Sequence, residues 1–114
     1  MAYNEDLANR VRVYLLETNQ PIEEKKMFGG LCFMVHAKMC IGVERDKLML
    51  WLDPKEYDQY LDKEGALPMD FTGRPLKGFI YVEAWAVEKR KALELWLDKA
   101  LQYNKMIKPA KRKK

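Results

Sequence analysis

The chain is best interpreted from the stretch Met27-Phe28-Gly29-Gly30-Leu31-Cys32-Phe33-Met34-Val35, in which two adjacent glycines separate a Lys-rich run from five apolar residues. An uninterrupted apolar run of this length is typical of a strand entering a core. Glycine adopts backbone conformations that other residues avoid, so the pair marks a bulge or kink. The stretch therefore predicts one bent strand over residues 24–35, with Leu31, Phe33 and Val35 on one side of a sheet.

A separate hairpin with Gly29-Gly30 at its tip is the alternative. It requires Glu23-Glu24-Lys25-Lys26 to form a strand of its own, and four consecutive charged residues have low strand propensity. We therefore favour the bent strand.

Two further strands follow, over residues 38–44 and 47–52, and the connections are so short that the strands must be antiparallel. A two-residue loop at His36-Ala37 pairs Phe33 with Cys40 and Cys32 with Ile41. This register predicts the two sulfurs on opposite faces of the sheet, whereas a three-residue loop would place them on one face. We favour the tighter turn, which leaves both cysteines as unpaired thiols that pack like small apolar residues.

Three helices are predicted from spacing and capping residues. The first covers residues 5 to about 18, with Asn4 as its cap. The second is short and begins at Asp53-Pro54, an acidic cap followed by proline at the first helical position. The third runs from about Val87 to Tyr103 and carries its apolar residues along one stripe.

Between the second and third helices lies an ordered loop, which we expect to include a short strand at 69–71, and then a clear strand at 79–83. The elements follow the order α-β-β-β-α-β(β)-α. The sequence therefore predicts a two-layer α+β fold, an antiparallel sheet of about five strands with helices packed on one side. Residues 1–107 form a single domain in this interpretation.

The net charge of +4 comes from the last seven residues and not from the body of the chain. Without them, 16 basic residues face 17 acidic ones. We expect this tail, residues 108–114, to be disordered and to give at most weak, salt-dependent attraction to nucleic acids. The basic residues concerned are Lys108, Lys111, Arg112, Lys113 and Lys114.

The sequence offers no pattern typical of a signal peptide or a membrane-spanning segment, so a cytoplasmic location is expected. It also offers no catalytic constellation. The chain contains no serine, and His36 is its only histidine. A turn at His36 would hold the imidazole away from Cys32 and Cys40, which excludes a catalytic pair. One histidine and two cysteines on opposite faces of the sheet do not make a metal site. We therefore expect no catalytic residues, no metal and no cofactor.

A ligand or partner contact is conceivable at two places. Gly29-Gly30 matches no phosphate-binding motif, because a strand follows it where a helix would be needed. Arg74 lies between Gly73 and Pro75, and its guanidinium could bind an anion or bond to carbonyls of its own loop. The candidate contact residues are Phe28, Gly29, Gly30, Arg74 and Lys77.

The three tryptophans and seven methionines are interpreted as core and helix-packing residues and not as a ligand cage. Trp51 and Trp85 are the candidates for partial exposure, since neither falls cleanly on an inward-facing pattern.

Two segments together resemble the N-terminal domain of TfoX/Sxy-type competence regulators. The first is residues 26–35 with Lys38-Met39-Cys40-Ile41-Gly42-Val43 after the turn, and the second is Pro68 to Gly78. The resemblance covers roughly residues 5 to 104. It implies a two-layer α/β fold with an antiparallel sheet, an intracellular location and a regulatory role, and it supplies no catalytic residues. Full-length regulators of this type carry a second, helical domain, for which this chain has no room.

The leading hypothesis is therefore a small non-enzymatic regulatory domain that binds a protein partner or a second copy of itself. A small-molecule or anion-binding protein that uses the Gly30 and Arg74 region is the second hypothesis. Weak nucleic-acid binding through the basic tail is the third.

Overall fold

A computed structural model describes residues 3–19, 21–27, 30–68 and 78–106. The described part contains three α-helices, six strands and two short 3₁₀ turns. In chain order these are α1 (Glu5–Glu17), β1 (Ile22–Met27), β2 (Gly30–Val35), β3 (Lys38–Glu44), β4 (Lys47–Trp51), a 3₁₀ turn (Pro54–Glu56), α2 (Tyr57–Leu61), β5 (Ala66–Pro68), β6 (Phe79–Glu83), a 3₁₀ turn (Ala84–Val87) and α3 (Arg90–Met106).

The six strands form one antiparallel sheet in the spatial order β1-β2-β3-β4-β6-β5. Strands β1 to β4 are joined consecutively as hairpins. Strand β6 pairs with β4, and the short β5 lies at the edge beyond it. The α+β class and the antiparallel sheet agree with the prediction, and the sheet has one strand more than the five expected.

One apolar core holds the helices against one face of the sheet. Each strand contributes alternate residues, as the two-residue period of a strand requires. The buried apolar residues of α1, α2 and α3 belong to the same cluster as these strand residues. From the sheet the cluster includes Leu31, Phe33, Val35, Cys40, Ile41, Val43, Leu48, Leu50, Ile80 and Val82. The domain therefore has two layers, helices on one side and the sheet on the other.

Helix α1 forms as its sequence predicts. The side chain of Asn4 accepts a hydrogen bond from the backbone N–H of Leu7 at 2.9 Å, which caps the first turn. Leu7, Val11 and Leu15 are buried at helical spacing. Arg10 fastens the helix to the second 3₁₀ turn, because its guanidinium donates to the carbonyl oxygen of Val87 at 2.9 Å.

The predicted single strand over residues 24–35 is wrong, because the structure has two strands there, Ile22–Met27 and Gly30–Val35, paired antiparallel. The charged run forms the edge strand that we considered too polar. It does so because an edge strand needs little apolar surface, and the charges of the run stay in solvent. Glu24 finds a partner in Arg12 of α1, with nitrogen and oxygen 2.5 Å apart. The placement of Leu31, Phe33 and Val35 on the core side is confirmed.

The predicted register of the β2–β3 hairpin is wrong by one residue, although the two-residue loop at His36-Ala37 is correct. Phe33 pairs with Ile41, and Cys32 pairs with Gly42. An irregularity in the ladder leaves Cys40 as an extra residue, so Cys40 and Ile41 both belong to the core cluster. Cys32 lies next to the core residue Phe33 and therefore on the other face, so the expected separation of the two cysteines holds.

The remaining elements are close to their predicted positions. Asp53 caps the short second helical segment by accepting from the N–H of Lys55 at 3.0 Å. The last helix is Arg90–Met106 and not Val87 to Tyr103, because a 3₁₀ turn occupies Ala84–Val87. The short strand before β6 lies at Ala66–Pro68. Residues 69–71, where we expected it, lie outside the described residues, and so does the basic tail.

The turn between β2 and β3 is held by the end of α3. The side-chain amide of Asn104 donates to the carbonyl of Val35 at 3.1 Å, and Lys38 donates to the carbonyl of Asn104 at 2.6 Å. Both turn residues have a left-handed backbone, with φ of 53° at His36 and 64° at Ala37. This geometry suits a two-residue hairpin but is costly for residues with a Cβ atom.

Replacing Ala37 with glycine should therefore stabilise the protein. Relief of the left-handed conformation is worth about 1–2 kcal/mol, and the greater freedom of glycine in the unfolded chain offsets roughly half of that. We expect the free energy of unfolding, measured by urea denaturation, to rise by about 0.5–1 kcal/mol. The control is Ala92→Gly in α3, which should lower it by about 1 kcal/mol. A loss of stability in Ala37→Gly would contradict the prediction.

Candidate functional site

The second face of the sheet has none of the described helices packed on it, and we call it the open face. It carries the strand residues that alternate with the core set. Its central residues are Cys32, Met34, Met39, Gly42, Met49, Trp51, Leu67, Phe79 and Tyr81, and its charged residues are Glu23, Lys25, Glu44, Lys47 and Glu83. An apolar centre with charged residues around it is the usual composition of a protein-binding surface.

The apolar residues of the open face lie in two neighbouring rows across the sheet. The strand register aligns one row as Cys32, Gly42, Met49, Tyr81 and Leu67. The other row contains Met34 paired with Met39, and Trp51 paired with Phe79. The two rows join into one apolar patch that extends from β2 to β5.

The patch combines rigid and adaptable side chains. The rings of Trp51 and Phe79 pack with their centroids 4.1 Å apart, which fixes both in place. Met34 and Met39, which pair with each other on β2 and β3, are half-buried. Methionine is flexible and polarizable, so such residues adapt to the shape of a partner.

A charged row borders the patch at one end of the strands. The register aligns Glu44 with Lys47, and Lys47 with Glu83. Tyr81 is tied to this row, because its hydroxyl donates to Glu44 at 2.7 Å and the Lys47 ammonium lies 5.0 Å from its ring centroid. Burial, and then the bond to Glu44, raises the pKa of Tyr81 to about 12. The phenol is therefore neutral and a hydrogen-bond donor at physiological pH.

Gly30 is the one predicted contact residue that the structure describes. It begins β2, and a Cβ atom at this position would stand 2.3 Å from the carbonyl oxygen of Val43. Only glycine lets the backbones of β2 and β3 approach this closely. The role that the structure assigns to Gly30 is therefore structural.

The other predicted contact residues, Phe28, Gly29, Arg74 and Lys77, lie outside the described residues. Lys108, Lys111, Arg112, Lys113 and Lys114 do as well. Anion binding at the Gly30 and Arg74 region, and nucleic-acid binding through the tail, stay predictions.

The two thiols are buried and unpaired, and each is only 2% exposed. Burial raises the pKa of Cys32 to about 11 and that of Cys40 to about 12. Both are therefore protonated at neutral pH, whereas nucleophilic or metal-binding cysteine is a thiolate. His36 is exposed in its turn. Among the described residues no group of three His, Cys, Asp or Glu side chains is arranged to hold a metal ion.

A smaller concavity of about 250 Å³ lies between α1 and α3. Val13, Tyr14 and Leu93 line it, and Arg90 stands at its rim. The Tyr14 hydroxyl donates to Asp98, and Arg90 pairs with Glu94 at 2.5 Å. Because these polar groups already have partners within the chain, the concavity is a weaker candidate than the open face.

Some signals of the open face are visible in the sequence. Trp85 is 55% exposed and Trp51 is half-buried, so both tryptophans are partly exposed as predicted. The methionines, by contrast, were interpreted as core and helix-packing residues, and Met34 and Met39 lie on the open face instead. Runs that are apolar at every position, such as Leu31–Val35 and Leu48–Leu52, were the missed signal, because only one face of such a strand can meet the helices.

The fold and this surface define a class of protein: a small two-layer α+β domain whose antiparallel sheet has helices on one face and an apolar patch on the other. A comparison with protein-family models matches the TfoX N-terminal domain over residues 14–103. This match covers most of the chain, which therefore belongs to the TfoX N-terminal domain family, and the resemblance seen in the sequence is confirmed. Neither curated proteins nor solved structures gave a match.

The family supports a regulatory domain of the competence type. Within the described residues, no helix has the length and apolar character needed to cross a membrane.

Proposed function

We propose that this protein is a non-enzymatic regulatory domain that acts in the cytoplasm by binding another protein chain. The observation that carries the proposal is the apolar patch on the open face. A sheet with helices on one side usually presents polar residues on the other, because that face meets water. Here the same positions hold methionine and aromatic residues, which are enriched where proteins bind one another.

The state of the reactive groups supports a role without catalysis. Catalysis by cysteine needs a thiolate and a base within hydrogen-bond reach. The raised pKa values of Cys32 and Cys40 keep both thiols protonated. His36 lies in an exposed turn, where its ring is solvated. The two buried thiols are therefore better suited to packing than to chemistry.

A capture experiment with two matched variants tests the proposal. Met39→Glu places a charge within the patch, at a residue that does not belong to the core cluster. Leu16→Glu places the same charge on α1, at a side chain that is 59% exposed on the helical layer. Wild type, Met39→Glu and Leu16→Glu are immobilised and exposed to host lysate, and the retained chains are identified by mass spectrometry.

We expect a chain that wild type and Leu16→Glu retain equally and that Met39→Glu loses by at least about tenfold. Thermal melts of the three proteins should agree, which shows that the loss is not due to unfolding. Equal retention by all three, or no retained chain at all, would contradict the proposal.

A further inference from the structure

We infer that the open face binds the open face of a second copy of this chain, so that two sheets pack face to face in a symmetric dimer. The inference rests on the proposed function, because it names the occupant of the same surface. The dimer would have four layers, with helices outside and two sheets inside. Three observations support a second copy over an unrelated partner.

The first observation is that the central strands are apolar on both faces. In β4, Leu48 and Leu50 point to the helices, while Met49 and Trp51 lie on the open face. Met49 is 6% exposed because it packs over Gly42 within the chain, whereas Trp51 is half-buried and leaves apolar surface for a partner. Continuous apolar strands occur in sheets that are covered on both sides. A flat apolar sheet is best covered by another flat sheet, at a separation of about 10 Å.

The second observation is the size of the surface. Six strands about 4.8 Å apart, each about five residues long at roughly 3.3 Å per residue, give a face of roughly 500 Å². Two such faces together bury about 1,000 Å², which is close to the minimum for a biological interface and below the roughly 1,200–2,000 Å² of stable, specific ones. Side chains that project from each face increase the buried area above this value for flat faces. A second copy that covers the whole face therefore reaches the area of a weak dimer, which forms at high protein concentration.

The third observation is that the face is complementary to itself. Strands β3 and β4 are the two middle strands of the sheet. Consider a two-fold axis that lies between the two sheets, parallel to the strands and midway between β3 and β4. Rotation about this axis places β3 of one copy opposite β4 of the other. Residues that pair across β3 and β4 within a chain then also face each other between the two chains.

This symmetry brings together side chains of opposite charge. Glu44 pairs with Lys47 in the register, so Glu44 of each copy faces Lys47 of the other. Gly42 pairs with Met49, and the terminal methyl of Met49 already fills the space over residue 42 within the chain. Two ion pairs therefore form around the axis. Interfaces related by a two-fold axis are the commonest in homo-oligomers.

Charge-reversal variants can show whether Glu44 and Lys47 contact each other between chains or only within one chain. Each variant alone, Glu44→Lys or Lys47→Glu, places like charges across the axis and should dimerise more weakly than wild type. A mixture of the two restores opposite charges between chains, because the lysine introduced in one variant then faces the glutamate introduced in the other. Mixing changes nothing inside either chain, so a heterodimer found only in the mixture reports the contact between chains.

The molar mass of each sample is measured by light scattering after size-exclusion chromatography, over concentrations from about 1 μM to 1 mM. We expect wild type at high concentration to approach about 27 kDa, twice the 13.5 kDa of one chain. Each single variant should dimerise at least about tenfold more weakly, and the mixture should recover the dimer. Glu88→Lys, a reversal at an exposed position after the second 3₁₀ turn, should behave as wild type.

Three results would overturn the inference: a wild-type mass of one chain throughout, a single variant that dimerises as well as wild type, or a mixture that does not dimerise. The capture experiment distinguishes this failure from failure of the proposed function. If wild type is a monomer and Met39→Glu still loses a captured protein, the open face binds a different partner. The inference of a dimer is then wrong, and the proposed function stands.

Discussion

Replacing Gly30 with valine should lower the free energy of unfolding by about 3 kcal/mol or more. A Cβ atom at residue 30 would stand 2.3 Å from the carbonyl oxygen of Val43 and 3.1 Å from the Cα of Glu44. Both neighbours are backbone atoms of β3, so no side chain can rotate away to make room. The two strands must separate, which weakens the ladder between β2 and β3.

Gly42→Ala is the matched control for this prediction. A Cβ atom at residue 42 would come within 2.5 Å of another atom as well, but that atom is the terminal methyl of Met49. A methionine side chain moves at little cost. We therefore expect Gly42→Ala to cost less than about 1 kcal/mol and Gly30→Ala to cost about 2–3 kcal/mol, by urea denaturation. Equal costs for the two alanines would show that close backbone approach is not the reason for Gly30.

The main hairpin of the fold could be predicted because its sequence signals are local. Leu31, Phe33 and Val35 alternate, and the turn at His36-Ala37 is short enough to fix the direction of β3. The extra residue at Cys40 could not be predicted, because a bulge is stabilised by core packing that the sequence of the hairpin does not display.

The edge strand β1 was rejected for a related reason. Strand propensity measures how well a side chain packs on a half-buried surface, and Glu23-Glu24-Lys25-Lys26 packs poorly. What the propensity omits is the partner supplied by another element. The guanidinium of Arg12 binds Glu24 through two nitrogens and also lies 6.0 Å from the ring centroid of Phe33. That contact joins residues distant in sequence and becomes visible only in the folded chain.

The open face was hard to predict because methionine and aromatic residues fit a core as well as a surface. Met34 and Met49 would be ordinary core residues if helices lay on both sides of the sheet. Which side the helices cover depends on the packing of α1 and α3, which the strand sequences do not encode. The predicted contact residues were chosen from glycine and arginine motifs instead, and Gly30 proved to be a requirement of the backbone.

The largest expected difference between the folded and unfolded chain is in thiol reactivity. At pH 8 a free thiol of pKa about 9 is ionised to about 10%, whereas one of pKa about 11 or 12 is ionised to about 0.1% or 0.01%. Burial raises the pKa of Cys32 and Cys40 to these two values. Because a thiolate of higher pKa is also more nucleophilic, part of this difference in ionisation is offset, and the native protein should react with an aromatic disulfide reagent at least about tenfold more slowly at each thiol than the protein in urea.

The single variants Cys32→Ala and Cys40→Ala assign the two rates, and absorbance of the released thiolate measures them. Native rates within about tenfold of the denatured rates would contradict the prediction. The same shifts have a consequence for stability. Because folding raises both pKa values, the stability that comes from keeping the thiols neutral is complete below pH 9 and is lost as the pH rises towards 11–12. Urea denaturation at pH 8 and pH 10 should show this loss, and it should be smaller in each alanine variant, since one ionising thiol has been removed.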